Sequence, residues 1–155
     1  ELANINSDDQ MVISGEKIAV AQAMDLCIAR GAKKAIPLPV SGAFHSSLMQ
    51  HAARGLGQAI ASMDFKAPEM PIVGNYTGTP LNSAEEVKQE LTDGLCNCVQ
   101  WKKSICCMVH SGVSTFVEFG SARVLSSLIR RIDSDVEALT LSSVESIKKL
   151  TERNS

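Results

Sequence analysis

No apolar run in this 155-residue chain approaches the length of a membrane-spanning helix. Charge of one sign is missing too. Fifteen Lys and Arg are interspersed with 17 Asp and Glu, for a net charge of −2, which leaves no basic footprint for nucleic acid. The N-terminus has neither a basic n-region nor the apolar h-region of a signal peptide. It begins at Glu1 rather than Met, as a truncated or processed chain would, and a removed targeting peptide is compatible with that start. The expected compartment is the cytoplasm, or an organellar matrix if such a peptide was removed. No C-x-x-C framework occurs among the five cysteines, Cys27, Cys96, Cys98, Cys106 and Cys107. Their odd number and the missing secretory signal point to reduced thiols, which act as small buried hydrophobes rather than metal ligands, His110 nearby notwithstanding. Finally, there is no Gly-x-Ser-x-Gly and no Gly-His-Ser. That excludes a serine nucleophile raised on a strand-to-helix elbow within these residues.

What is present is enough for a core: 45% of the residues are hydrophobic, an ordinary share for a globular protein. Residues 2–6 and 10–14 read as two short strands around the polar turn Ser7-Asp8-Asp9. A helix over 16–30 follows, with Val20, Ala23, Met24, Cys27 and Ile28 as its apolar stripe and Gly31 as its C-terminal cap. Residues 35–40 read as an extended edge strand, because Pro37 and Pro39 cannot donate to a ladder. Ser47-x-x-Gln50 has the form of a capping box for a helix whose face is Leu48, Ala52, Leu56, Ile60 and Met63. Beyond it come a strand over 71–76, a helix from Ser83-x-x-Glu86 to Gly94, and a helix with Trp101, Ile105, Met108 and Val109 stopped by Gly112. A strand over 115–119 and a helix through Ile132 lead to a strand around 138–141 and a last helix opened by Ser142-x-x-Glu145. Such alternation favours a parallel or mixed sheet flanked by helices.

Five ordered blocks resemble the malonyl-CoA:acyl carrier protein transacylases. Asn4-Ile5-Asn6-Ser7 with Gln10–Gly15 resembles N-x-N-S-P-x-Q-x-V-I-S/A-G. Pro39–Met49, PVSGAFHSSLM, resembles PVS-x-x-FHS-x-LM. Pro71–Asn75 resembles P-V-x-x-N. Gly94–Trp101 resembles Q-L-x-x-P-V-x-W. Phe116–Gly120 with Val124–Ile129 resembles F-x-E-V/F-G-P-G-x-V-L-x-x-L. The resemblance runs from about Asn4 to Leu150, and it is to the C-terminal half of the enzyme. The family's GHS-x-G serine, its carboxylate-binding arginine and its early Gly-Gln-Gly loop are absent. The implied fold is α/β, a partial α/β-hydrolase-like acyltransferase core with part of a ferredoxin-like small subdomain. Residues 1–41 would be the remainder of that subdomain, and residues 42–155 the C-terminal part of the core.

The resemblance implies malonyl transfer from CoA to the phosphopantetheine thiol of acyl carrier protein, in fatty acid biosynthesis, by a ping-pong Ser/His mechanism. His45 would be the general base that activates the serine. In this family a main-chain carbonyl, at the position of Gly94, orients the histidine. A backbone oxygen survives the loss of the side chain, although glycine and Cys98 in place of proline loosen the segment. A helix C-cap is the other reading of Gly94. Phe44, in Ala-Phe-His, matches the malonyl form of related acyltransferases. It is either a steric selector against an α-methyl group or an ordinary buried ring. Asn4, Asn6 and Gln10 either line the acyl-CoA cleft or bond their own turn. Lys33 and Lys34 either steer an acidic carrier protein or form a solvated pair. His51 and His110 read as structural or solvated, and Gly120-Ser121-Ala122 as a loop and helix start. No cofactor and no metal are implied. The partners would be acyl carrier protein and the missing N-terminal half, with no nucleic acid and no membrane. Two rivals remain, a polyketide-synthase acyltransferase domain and a non-catalytic carrier-protein-binding module. The chain's end shortly after its last helix favours a stand-alone enzyme over the former.

Overall fold

The computed structural model describes residues 1–153 and divides into two compact units, Glu1–Ser104 and the residues from Ile105 onward. In the first unit, β1 (Leu2–Ser7) and β2 (Gln10–Ile13) form an antiparallel hairpin. The helix α1 (Lys17–Ala29) follows and ends as its glycine dictates. Gly31 takes φ 99°, and the Ala32 N–H returns to Cys27 O at 3.0 Å. No residue of α1 is buried, and Ile18 is 76% exposed. The expected stripe is half-buried at Val20, Ala23 and Met24 and exposed at Cys27 and Ile28.

The expected edge strand at 35–40 does not form. Its backbone makes one local bond, Val40 N–H to Leu38 O, and pairs with no strand among the described residues. Two prolines in six residues remove two of the donors a ladder needs. Ser47 opens no capping box either. A 3-10 turn, Ser47–Met49, precedes α2 (Gln50–Ala61), and the Ser47 N–H and hydroxyl both go to the Glu1 carboxylate. On α2 only Ile60 is buried.

The strand expected at 71–76 shrinks to β3 (Ile72–Val73), paired antiparallel with β4 (Pro80–Leu81), which the sequence reading missed. The loop between them is fixed by α3 (Ala84–Gly94). Glu90 on α3 accepts the Tyr76 N–H at 2.6 Å, the Thr77 N–H at 3.2 Å and the Thr77 hydroxyl at 2.9 Å. A Cβ at Gly74 would run into the Glu90 carboxylate and the Thr77 hydroxyl, so a larger residue there would have to displace them. The expected capping box at Ser83 and Glu86 is present. From the end of α3 the chain returns to β1. Val99 accepts the Ile5 N–H at 2.9 Å and donates to Ala3 O at 2.8 Å. Ala3, Ile60, Leu81 and Val99 are buried in this unit.

The boundary between the units falls within α4 (Trp101–His110). Gly112 ends α4 at φ 93°. The second unit pairs β5 (Thr115–Phe119) in parallel with β6 (Glu137–Leu141), joined by α5 (Val124–Ile132). Phe116, Leu128, Ile129 and Ala138 are its buried apolar residues, with Ile105. The last helix, α6 (Val144–Arg153), is capped one residue later than expected, by Ser143, whose hydroxyl accepts the Ser146 N–H. The described strands thus form three two-stranded sheets. No described helix is long and apolar enough to cross a membrane. Among the cysteines, Cys27 is exposed and the other four are half-buried, all as free thiols. The expectation of buried cysteines therefore fails, and partial burial pushes the Cys98 thiol up.

Glu118, at the end of β5, caps α5. Its carboxylate accepts the Ser126 N–H at 2.9 Å and the Leu125 N–H at 3.1 Å. The Ser126 N–H, foremost, holds the Glu118 carboxyl below its ordinary 4.5. A carboxyl lowered on folding adds stability above its unfolded value and loses it as pH falls through the folded one. Glu118→Ala should therefore lower the thermal midpoint at neutral pH. In melts at decreasing pH, the gap from the parent chain should shrink below about 4.5.

Candidate active site

The site is built at the end of a helix. A helix leaves its last four carbonyls without intrahelical partners. At the end of α3, Asp93 O accepts the N–H groups of Cys96 at 3.0 Å and Asn97 at 3.1 Å, and the Asn97 side-chain amide at 2.8 Å. The next two carbonyls go to His45. Its N–H donates to Leu95 O at 3.0 Å, and its Nδ1 lies 2.8 Å from Gly94 O. A carbonyl oxygen can only accept, so Nδ1 carries the proton of this bond. In the neutral ring the lone pair is then on Nε2, the atom left to take a proton.

His45 sits at φ 61°, in the left-handed region. Histidine enters that region more readily than most residues, yet a sparsely populated conformation still costs on the order of 1–3 kcal/mol. Each anchoring hydrogen bond contributes about 0.5–1.5 kcal/mol, so the two bonds to α3 are of the size needed to hold it. Ser46, next in sequence, is fully buried, and the Ser47 N–H meets the Glu1 carboxylate. The start of β1 is thereby tied to the segment just after His45.

The other sequence candidates lie as follows. Phe44 is 46% exposed, and its ring folds back over Gly42, where a Cβ would meet the ring at 2.8 Å. Within this chain the ring is not buried. Asn4, Asn6 and Gln10 are half-buried on the β1–β2 hairpin. No hydrogen bond among the described residues links their side chains to His45. Lys33 and Lys34 are exposed after α1. His51 is exposed on α2, and His110 bonds Cys106 O at 2.7 Å on its own helix. A cavity of about 320 Å³ opens between α2 and the end of α3, lined by Gln50, Arg54, Asp93, Cys96 and Asn97 among others, but not by His45. Among the described residues no group of three or more His, Cys, Asp or Glu could hold a metal ion. Sequence reasoning missed Glu90, Asn97 and Ser46. Of these only Ser46 carried a signal, as part of the FHS block.

No protein-family model matches the chain. It is 36% identical over 148 residues to the malonyl CoA-acyl carrier protein transacylase of Bacillus subtilis, covering 96% of this chain and 47% of that protein. It is 40% identical over 141 residues to the Escherichia coli K12 enzyme of the same name, covering 91% and 45%. Among solved structures, the Coxiella burnetii transacylase superposes with a TM-score of 0.94 at 37% identity, covering 99% of this chain and 48% of that one. A malonyl-transacylase in complex with a type II polyketide synthase acyl-carrier protein superposes at 0.95 with 36% identity, covering 99% and 50%. The chain is homologous to about half of a malonyl-CoA:acyl carrier protein transacylase. It spans about half the length of the curated relatives it matches. The α/β acyltransferase fold expected from the transacylase resemblance is the fold found.

If Gly94 acts through its oxygen alone, a side chain there should be harmless. A Cβ at 94 would meet only Tyr76 Cβ, at 4.0 Å. Gly94→Ala should therefore keep the His45 contact and raise stability by about 0.5 kcal/mol, the usual gain for alanine over glycine in a helix. A denaturant titration that shows a clear loss would contradict this.

Proposed function

We propose that this chain is the histidine-bearing part of an acyltransferase that moves malonyl from CoA to the phosphopantetheine thiol of acyl carrier protein in fatty acid biosynthesis. The observation that carries the reading is the His45 ring held on Gly94 O, in a chain homologous to transacylases along nearly its whole length. In the first half-reaction, His45 Nε2 takes the proton of a serine hydroxyl supplied by the missing N-terminal half. The serine oxygen bonds the malonyl carbonyl, the C–S bond to CoA breaks, and the imidazolium returns its proton to the CoA sulfur. The second half-reaction runs the same steps in reverse, with the phosphopantetheine thiol as nucleophile. No cofactor takes part.

On this reading residues 1–41 are the remainder of the small subdomain and residues 42–155 the C-terminal part of the core. Asn4, Asn6 and Gln10 face the acyl-CoA cleft. Lys33 and Lys34, exposed and adjacent, suit an acidic carrier protein, to which they would contribute on-rate and orientation more than affinity. Phe44, with its ring half open, opposes an α-methyl group on the acyl chain. The solved complex with a polyketide carrier protein supports a second reading, in which the same malonyl transfer serves a polyketide synthase.

Malonyl transfer from CoA to holo carrier protein should be undetectable with the purified chain alone and should appear once the complementing half is co-expressed. Robust turnover by the chain alone, abolished by His45→Ala, would reveal a nucleophile within it and overturn the half-enzyme reading. In the complemented enzyme, His45→Ala should slow formation of the malonyl-enzyme about 10²–10⁴-fold, the usual contribution of a general base. Phe44→Ser should raise the use of methylmalonyl relative to malonyl by about tenfold or more, the scale of one methyl group in a pocket. An unchanged ratio would reduce Phe44 to packing.

A further inference from the structure

Among the residues of the PVSGAFHSSLM block without a part in the chemistry above, Ser46 alone is buried. Ser46 is fully buried, although Phe44 before it and Ser47 and Leu48 after it are exposed. A hydroxyl with no partner is unfavourable in such a place, so its one bond is informative. The Ser46 hydroxyl donates to Ala43 O at 2.6 Å. That bond spans Phe44 and His45 and ties the peptide entering this turn to the residue leaving it.

The turn so closed holds His45 at φ 61°, where its N–H and Nδ1–H reach two successive carbonyls, Leu95 O and Gly94 O. Ser46 itself has returned to extended backbone, at φ −136° and ψ 166°. The left-handed conformation is thus confined to His45, between two points joined by the Ser46–Ala43 bond. Without that bond, nothing in the turn itself would oppose relaxation of His45 toward ordinary backbone, which would carry the ring away from Gly94 O. Ser47 offers a comparison within the same block. It is the same residue type one position on, but it is exposed and bonded to Glu1.

We propose that Ser46 is a positioning residue for His45: its buried hydroxyl, bonded to Ala43 O, keeps His45 in the left-handed turn that seats Nδ1–H on Gly94 O and leaves Nε2 as the proton acceptor. The proposal rests on the reading of His45 given under Proposed function.

The tautomer of His45 tests it without any need for turnover. Long-range ¹H–¹⁵N spectra of the ¹⁵N-labelled chain, at alkaline pH where imidazoles are neutral, separate Nδ1–H from Nε2–H rings. His45→Ala assigns the signal. The parent chain should show His45 chiefly as Nδ1–H. In Ser46→Ala the ratio of Nδ1–H to Nε2–H should fall about fivefold, the factor that goes with one ordinary hydrogen bond. The amide signals of the β5–β6 pair should stay in place, and Ser47→Ala should leave the ratio unchanged. A folded Ser46→Ala chain that keeps the parent ratio overturns the proposal. If Ser46→Ala does not fold, Ser46→Cys replaces the short O–H bond with a weak S–H donor. A ratio below the parent's there supports the proposal, and an unchanged one overturns it. An Nε2–H ring in the folded parent chain would sink the reading of His45 itself, whereas retention in the variants sinks only the role of Ser46.

Discussion

The carboxyl end of α3 is the constraint on which the rest of the site depends. Three donors converge on Asp93 O, and the two carbonyls that follow are given to one histidine. The ring is therefore oriented by a peptide dipole and not by a carboxylate. A carbonyl selects the same tautomer as a carboxylate would, through a weaker bond, and it brings no full charge into the site. The carbonyls at the end of a helix also carry the negative end of its dipole, which is oriented to receive the positive charge the ring gains with a proton. Precision at His45 is then a matter of where α3 lies. The helix is fixed at its start by the reciprocal bonds of Ser83 and Glu86, and one turn before its end by Glu90, reaching into the loop at 76–77. Ser104 on the next helix and Gln100 just before it hold the same loop, through Gly74 O at 3.1 Å and Asn75 O at 2.6 Å.

Legibility in the sequence follows the range of the interaction. Ser83 and Glu86 are three residues apart, so their box was visible, and so was the run Thr115–Phe119, whose β-formers are contiguous. The glycines that end α1 and α4 were visible because a left-handed residue has a chemical signature. Glu90 was not. In the run from Glu85 to Asp93 it looks like one more charge on a solvated helix, and its partners are backbone N–H groups 13 and 14 residues away. β4 was missed for a related reason, since two residues beginning with proline carry no period. The strand expected at 35–40 failed because alternation of apolar residues and prolines describes an extended chain but supplies no partner. Ser47-x-x-Gln50 failed because a competing acceptor, the Glu1 carboxylate, lies 46 residues away and takes both donors. The pairing of His45 with Gly94 came from the family resemblance alone. A carbonyl oxygen belongs to every residue, so no composition or spacing could have singled it out.

Several apolar residues that precede His45 are exposed. The stretch from Lys17 to Phe44, which leads directly to His45, leaves Ile18, Leu26, Ile28, Ile36, Leu38 and Val40 open. Apolar side chains exposed together mark surfaces that meet another chain or domain. On the proposed reading, the exposed residues are where the remainder of the enzyme packs. The orientation of His45, however, does not wait for that remainder. Both anchors of His45, the turn that strains it and the helix that presents the carbonyls all come from residues 42–97 of this chain. On the proposed reading, assembly brings the nucleophile to a base whose orientation and tautomer are already set. Cleft formation would then be the step that depends on the other half, while the proton-accepting geometry is a local property of the fold.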